Sequence, residues 1–261
     1  MTNRIDRTFQ TSKGEGKKTL IAFITGGDPD IETTEKLILA MAEVGVDIVE
    51  IGIPFSDPVA EGEVIQRASK RALENGCTVD KLFDMVKRLR LKTEMPLLFM
   101  TYANPIYAYG KGRFMKTCQE VGIDGVIVPD VPFEEKEEFS HECKAYNVRQ
   151  ISLVAPTSKE RVALIAKEAE GFLYCVSSLG VTGMRKELNT QVAEWIQQVR
   201  KVSDIPCAIG FGISTPEQAG AMASISDGVI IGSGIVKIVG QYGRESILPV
   251  QEFLCGVREK V

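Results

Sequence analysis

The chain has 261 residues, 44% of them apolar and 25% charged, with a formal net charge of −4. Such a chain can bury a substantial core without disulfide or metal staples. The mild acidity and the lack of a dense basic run argue against a nucleic-acid partner, and no apolar run approaches the roughly 20 residues that span a bilayer.

The first residues, Met1-Thr-Asn-Arg-Ile-Asp-Arg7, lack the apolar segment of a secretory signal, so the expected compartment is the cytosol. A helical piece precedes Gly14. Residues 19–25 form a continuous apolar run, the pattern of a buried strand, and Asp30 is placed to cap a helix over 31–44. A second strand covers 47–53. Its side chains alternate, so Val49, Ile51 and Ile53 face one way and Ile48, Glu50 and Gly52 the other. Helical patterns follow at 63–74 and 79–91, a strand at 96–101, a helix near 112–121, a strand at 125–128 and a charged helix at 133–145. The pattern continues with a strand at 149–154, a helix at 158–168 and a strand at 172–176. A long loop over 177–189 leads to a helix at 191–201. Strands at 207–210 and 228–231 flank a helix at 215–222, and a helical region completes the chain.

Eight apolar strands alternating with helices describe a parallel sheet covered on both faces. Eight repeats in about 250 residues match a closed (β/α)8 TIM barrel, an α/β fold, better than an open doubly wound sheet. No linker divides the sequence. The expectation is a single domain over 1–261, with an extra N-terminal helix and a short phosphate-site helix after the last strand.

The six cysteines are scattered without a close pair, which excludes the common zinc and redox spacings; free thiols, most of them in the core, are expected. The single histidine, His141, lies in a polar helical stretch, so neither a Ser-His-Asp triad nor a histidine metal site is available. Acid–base chemistry falls to carboxylates, tyrosines or lysines.

In such barrels the chemistry sits at the C-terminal ends of the strands. Glu50 lies there on the second strand, with Asp57 and Glu61 on the loop above. A desolvated carboxyl holds its proton to higher pH and can then give or take it near neutrality. The competing reading is a Glu50 salt-bridged within the core. Tyr102 and Asn104 follow the third strand, Asp130 the fourth, and Tyr174 lies near the end of the sixth. Glycines cluster after the last three strands, at Gly180 and Gly183, Gly210 and Gly212, and Gly232 and Gly234 with Ser233. Backbone N–H groups there can reach a phosphate, although tight turns alone also use glycine. The loop over 177–189 reads as a lid, with Arg185 and Lys186 its protease-sensitive point, or else as a mobile connection.

The segment Glu50-Ile-Gly-Ile-Pro-Phe-Ser-Asp-Pro58 resembles the signature of the tryptophan synthase α subunit family. The likeness extends through Tyr102-Ala-Asn104, Asp130-Val-Pro132, Gly180-Val-Thr-Gly183, Gly210-Phe-Gly-Ile213, Gly232-Ser233 and Ile235-Val-Lys237, nearly the whole chain in order. The resemblance implies a (β/α)8 barrel that cleaves indole-3-glycerol phosphate to indole and glyceraldehyde 3-phosphate with no metal or cofactor of its own. It implies a pyridoxal-phosphate β subunit as partner in an αββα assembly, with indole passed between them. By the same resemblance Glu50 is the main acid–base group, and the second carboxylate holds the indole N–H.

That second position, an Asp in the family pattern, is Glu61 here, and the usual Pro two residues on is Glu63. Glu63 opens a helix and favours its dipole. One added methylene moves the Glu61 carboxylate by about 1.5 Å unless the rotamer or loop draws it back. The resemblance further implies Gly183, Gly212, Gly232 and Ser233 as phosphate ligands. It gives Phe23, Ile65, Met100 and Phe211 as the indole slot, and Tyr102, Thr182 and Tyr174 as substrate contacts. Asp57, Pro58 and Asn104 fall at the β-subunit contact. Alternative readings are a stand-alone lyase releasing free indole, a weakly catalytic regulatory subunit, and, more distantly, a phosphate-binding isomerase on the same barrel.

Overall fold

The computed structural model describes residues 3–155, 159–176, 185–210 and 212–261, with the backbone alone for residues 159 and 185–192. Its strands are β1 (Thr19–Thr25), β2 (Ile48–Gly52), β3 (Leu97–Met100), β4 (Gly125–Ile127), β5 (Arg149–Gln150), β6 (Ser152–Val154), β7 (Leu173–Val176), β8 (Cys207–Gly210) and β9 (Gly228–Ile231). The helices are α1 (Arg4–Gly14), α2 (Ile31–Glu43), α3 (Glu63–Glu74), α4 (Val79–Leu89), α5 (Ala103–Tyr109), α6 (Lys111–Val121), α7 (Glu137–Ala145), α8 (Lys159–Glu168), α9 (Arg185–Arg200), α10 (Pro216–Ala223), α11 (Ser233–Tyr242) and α12 (Ile247–Arg258).

All strand pairs are parallel, in the order β5-β4-β3-β2-β1-β9-β8-β7-β6. The two ends of that order are one stretch of chain. β5 pairs with β4, β6 pairs with β7, and Ile151 between them donates its N–H to Val126. The expected strand over 149–154 therefore hands over from one neighbour to the other, which closes the barrel and gives nine short strands in place of eight.

Strand alternation sorts side chains into two shells. Val49, Ile51 and Ile53 pack outward in the large cluster beneath the helices. Ile21, Ile48, Leu98, Ile127, Ile151, Phe172, Tyr174, Ala208 and Ile230 fill the interior. α1 plugs the N-terminal end of the barrel, bringing Ile5 and Phe9 into the inner cluster, with the Phe9 and Phe172 rings 5.4 Å apart. Asn3 starts that helix by accepting the Ile5 N–H, as Asp30, Thr78 and Thr215 do for α2, α4 and α10.

Three aspartates tie the strands together at the same end. Each precedes one strand and accepts an N–H at the start of a neighbour: Asp47 from Leu20 at 2.7 Å, Asp124 from Leu97 at 3.0 Å and Asp227 from Cys207 at 2.9 Å. Each also holds an arginine, respectively Arg258, the pair Arg4 and Arg90, and Arg200. A one-residue slip would break these bonds and turn every inward side chain outward, so they fix the register on which the interior depends.

Two expected boundaries move. The loop thought to run to residue 189 is already helical at Arg185, so Arg185 and Lys186 open α9 and are not a lid tip. Residues 103–109, expected as loop, form α5, whose first N–H is accepted by Asp130 at 3.0 and 3.2 Å. Asp130 is thus a helix cap. Five of the six cysteines are buried, and His141 is exposed, as expected.

Removing the most buried of the aspartate ties tests the account of register. Asp124 is 5% exposed and Arg90 10%. Asp124→Ala strands that cation, and should lower stability in equilibrium urea titration by about 3–5 kcal/mol. Asp227→Ala, at a pair far more open to water, should shift the midpoint much less.

Candidate active site

A cavity of about 800 Å³ opens at the C-terminal end of the strands. Phe23, Ile65 and Met100 form one apolar wall, packed with Ala68 and Val236. Tyr174, Val176, Ile213 and Ile230 add to the apolar lining, and Glu61 and Tyr102 also line the cavity. Gly212, Gly232 and Ser233 line the end where α11 begins, so the first N–H groups of that helix point to the cavity and its dipole favours an anion there. Thr182, Gly183, Phe211 and the lid over 177–184 lie outside the described residues.

Two glycines make the interior wide enough for its rings. A Cβ on Gly52 would lie 2.7 Å from the Phe23 ring, and one on Gly210 would lie 2.6 Å from the Tyr174 ring. Gly210, grouped from sequence with the phosphate glycines, is instead the clearance for Tyr174. Gly212 has φ +73°, a turn that a side chain would strain.

Glu50 points into the barrel, in register with Phe23 and Leu98. It is 0% exposed, and neither carboxylate oxygen has a hydrogen-bond partner among the described residues. The salt-bridged alternative is therefore not what the fold contains. Burial pushes its pKa up from 4.5 to about 8. Tyr174, across the barrel, is raised well above the usual phenol range by burial and then by Glu50. Glu50 itself does not line the cavity, whereas Phe23, Met100 and Tyr174 around it do. The acid is thus buried among the inner side chains beside the residues that line the cavity.

Glu61 is half-buried. Burial raises its pKa, and the Tyr102 hydroxyl works against that by favouring the charged form. The Tyr102 hydroxyl accepts the N–H groups of Val59 at 3.2 Å and Ala60 at 3.0 Å. Glu63 is exposed in the first turn of α3 and pairs with Arg67, as expected of a surface helix acid. Asp57 and Asn104 are exposed and Pro58 is half-buried, and none of the three lines the cavity. Among the described residues no group of His, Cys, Asp and Glu is placed to hold a metal ion, and no helix is long and apolar enough to cross a membrane.

Sequence reasoning missed the apolar lining supplied by Val176, Ile213 and Ile230. Strand alternation marks Ile230 and Val176 as inward, and could have found them. It also missed the bonds from Tyr102 to the loop before Glu61, for which no local signal exists.

The family model described as "Tryptophan synthase alpha chain" matches residues 9–260. A tryptophan synthase alpha chain of Thermoanaerobacter sp. (strain X514) is 47% identical over 259 residues, covering 98% of this chain and 99% of its own length. That of Halalkalibacterium halodurans is 50% identical over 228 residues, 87% of this chain and 86% of its own. The crystal structure of tryptophan synthase subunit alpha from Legionella pneumophila str. Paris superposes with a TM-score of 0.91 at 36% identity, covering 100% of this chain and 98% of that one. A structure of the tryptophan synthase a2b2 complex from Pyrococcus furiosus gives 0.84 at 34% identity, covering 92% and 97%.

The raised Glu50 carboxyl makes a stability prediction. Between pH 4.5 and about 8 the unfolded chain has released this proton while the folded chain keeps it, so folding weakens as pH rises through that window. Glu50→Gln removes the linkage. Its stability relative to the wild type should grow by about 3–5 kcal/mol between pH 5 and pH 8.5 in urea titrations. A constant difference across that range would show that Glu50 ionises normally in the fold.

Proposed function

The chain belongs to the tryptophan synthase alpha chain family, and from that premise we propose how its residues cleave indole-3-glycerol phosphate to indole and glyceraldehyde 3-phosphate. The activity is a carbon–carbon lyase step of tryptophan biosynthesis. The observation that carries the residue assignment is a fully buried carboxyl without a hydrogen-bond partner among the described residues, pKa about 8, beside residues that line a ligand-sized cavity.

The phosphate of the substrate sits at Gly212, Gly232 and Ser233, with Gly183 added by family likeness. The indole ring lies against Phe23, Ile65 and Met100, with Phe211 expected beside them. Glu50 is protonated at neutral pH and turns about its side-chain bonds into the cavity, a rotamer change that is fast beside turnover. It gives its proton to C3 of the indole. Positive charge then appears at the ring nitrogen, whose N–H is held by the Glu61 carboxylate. The Glu50 carboxylate takes the proton of the carbinol hydroxyl, the C–C bond breaks, and its electron pair returns to the ring as the aldehyde forms. One group serves both transfers because its pKa lies near the working pH.

Tyr174 shapes the slot, and by family likeness Thr182 is expected to close on the neighbourhood of Glu50. No cofactor of this chain enters the scheme; pyridoxal phosphate belongs to the β subunit. We place the β contact of an αββα assembly on the loop over 54–61 and on α5, where Asp57 and Asn104 are exposed and Val59 is 80% exposed. The free cysteines fit a reducing cytoplasm.

Glu50→Gln should lower indole formation by about 10³-fold or more while the Kd for a non-cleavable indolylpropyl phosphate stays within about threefold. Retained turnover would remove Glu50 from its role. Adding a β subunit should raise the wild-type rate; an unchanged rate would favour the stand-alone lyase.

A further inference from the structure

The loop before α3 carries an acid one methylene longer than the family pattern, and the fold shows how that length is accommodated. The backbone around Glu61 is held on both sides. Ahead of it, the N–H groups of Val59 and Ala60 both donate to the Tyr102 hydroxyl, at 3.2 and 3.0 Å. Behind it, Gln66 donates through Nε2 to the Glu61 carbonyl oxygen at 2.8 Å. The Tyr102 ring is itself fixed: the residue is 2% exposed and packs at a tilt of 40° against Phe55, with ring centroids 5.4 Å apart. A phenol oxygen that already accepts two N–H bonds has only its own proton left to direct. The second of those N–H groups belongs to the residue just before Glu61, and hydroxyl and carboxylate each affect the other's ionisation. Glu61 lines the cavity, and its Oε2 is buried without a hydrogen-bond partner among the described residues.

We propose that Tyr102 is a positioning residue, whose hydroxyl clamps the loop and turns its remaining proton on Glu61, so that Oε2 of this longer acid is left as the free acceptor for the ring N–H. Tyr102 then acts through Glu61 and not on the substrate, the contact first expected from family likeness. Holding the carboxylate at both loop and hydroxyl replaces the short tether of an aspartate. It also keeps the acid charged in a site whose burial favours the neutral form. This inference rests on the reading that Glu61 serves the cleavage reaction.

A double-mutant cycle with full pH profiles tests it. Tyr102→Phe removes one oxygen and keeps the ring on Phe55; near-wild-type far-ultraviolet circular dichroism should confirm the fold. The expected result is a kcat for indole formation about 10- to 100-fold lower, a KM within about threefold, and an acid limb of the kcat profile moved upward by about one pH unit. In the Glu61→Gln background the same change should have no further effect, since the hydroxyl has no charged acid left to steer. Fully multiplicative losses, or an acid limb that stays in place, would overturn the positioning role while leaving Glu61 in the reaction. Full turnover in Glu61→Gln alone would instead overturn the role of Glu61 itself.

Discussion

A carboxyl group enclosed by hydrocarbon and given no hydrogen-bond partner keeps its proton, and the rest of this barrel is arranged around that fact. Glu50 occupies a position where every neighbour is part of the inner shell, and burial alone holds its pKa near 8. Water or a cation beside it would return the group to the ordinary carboxylate range and leave it a poor acid at neutral pH. In the proposed reaction the two proton transfers thus depend on exclusion of solvent from Glu50 more than on any one contact.

Such an interior requires a register that does not slip. Asp47, Asp124 and Asp227 each join neighbouring strands at the end opposite the cavity, and α1 closes that end with Ile5 and Phe9. The cavity lies at the other end, where Gly52 and Gly210 leave room for the Phe23 and Tyr174 rings and α11 begins. The loop carrying Glu61 belongs to that end. Its geometry is set by Tyr102 and Gln66, and none of the register bonds passes through it.

The barrel was legible because most strands are short runs buried on both faces and four of the helices open on a side-chain cap. The facing of Val49, Ile51 and Ile53 away from Glu50 follows from alternation alone. What the sequence could not reveal is set by packing between distant elements. Nothing local separates an acid that lines a cavity from one buried beside its lining, and Glu50 proves to be the second. Gly210 reads as a phosphate glycine beside Gly212, yet its lack of a side chain makes room for a ring on β7. Asp130 reads as a site acid because it ends a strand, but the unforeseen α5 takes it as a cap. The break at Ile151 was hidden because a strand that changes partners has the same apolar pattern as one that does not.

The central claim is that Glu50 is neutral at working pH, and infrared difference spectroscopy between the wild type and Glu50→Gln reads it directly. A protonated carboxyl band should persist through neutral pH and fade only near about pH 8. Loss of that band below about pH 5.5, as for a solvated glutamate, would contradict the account.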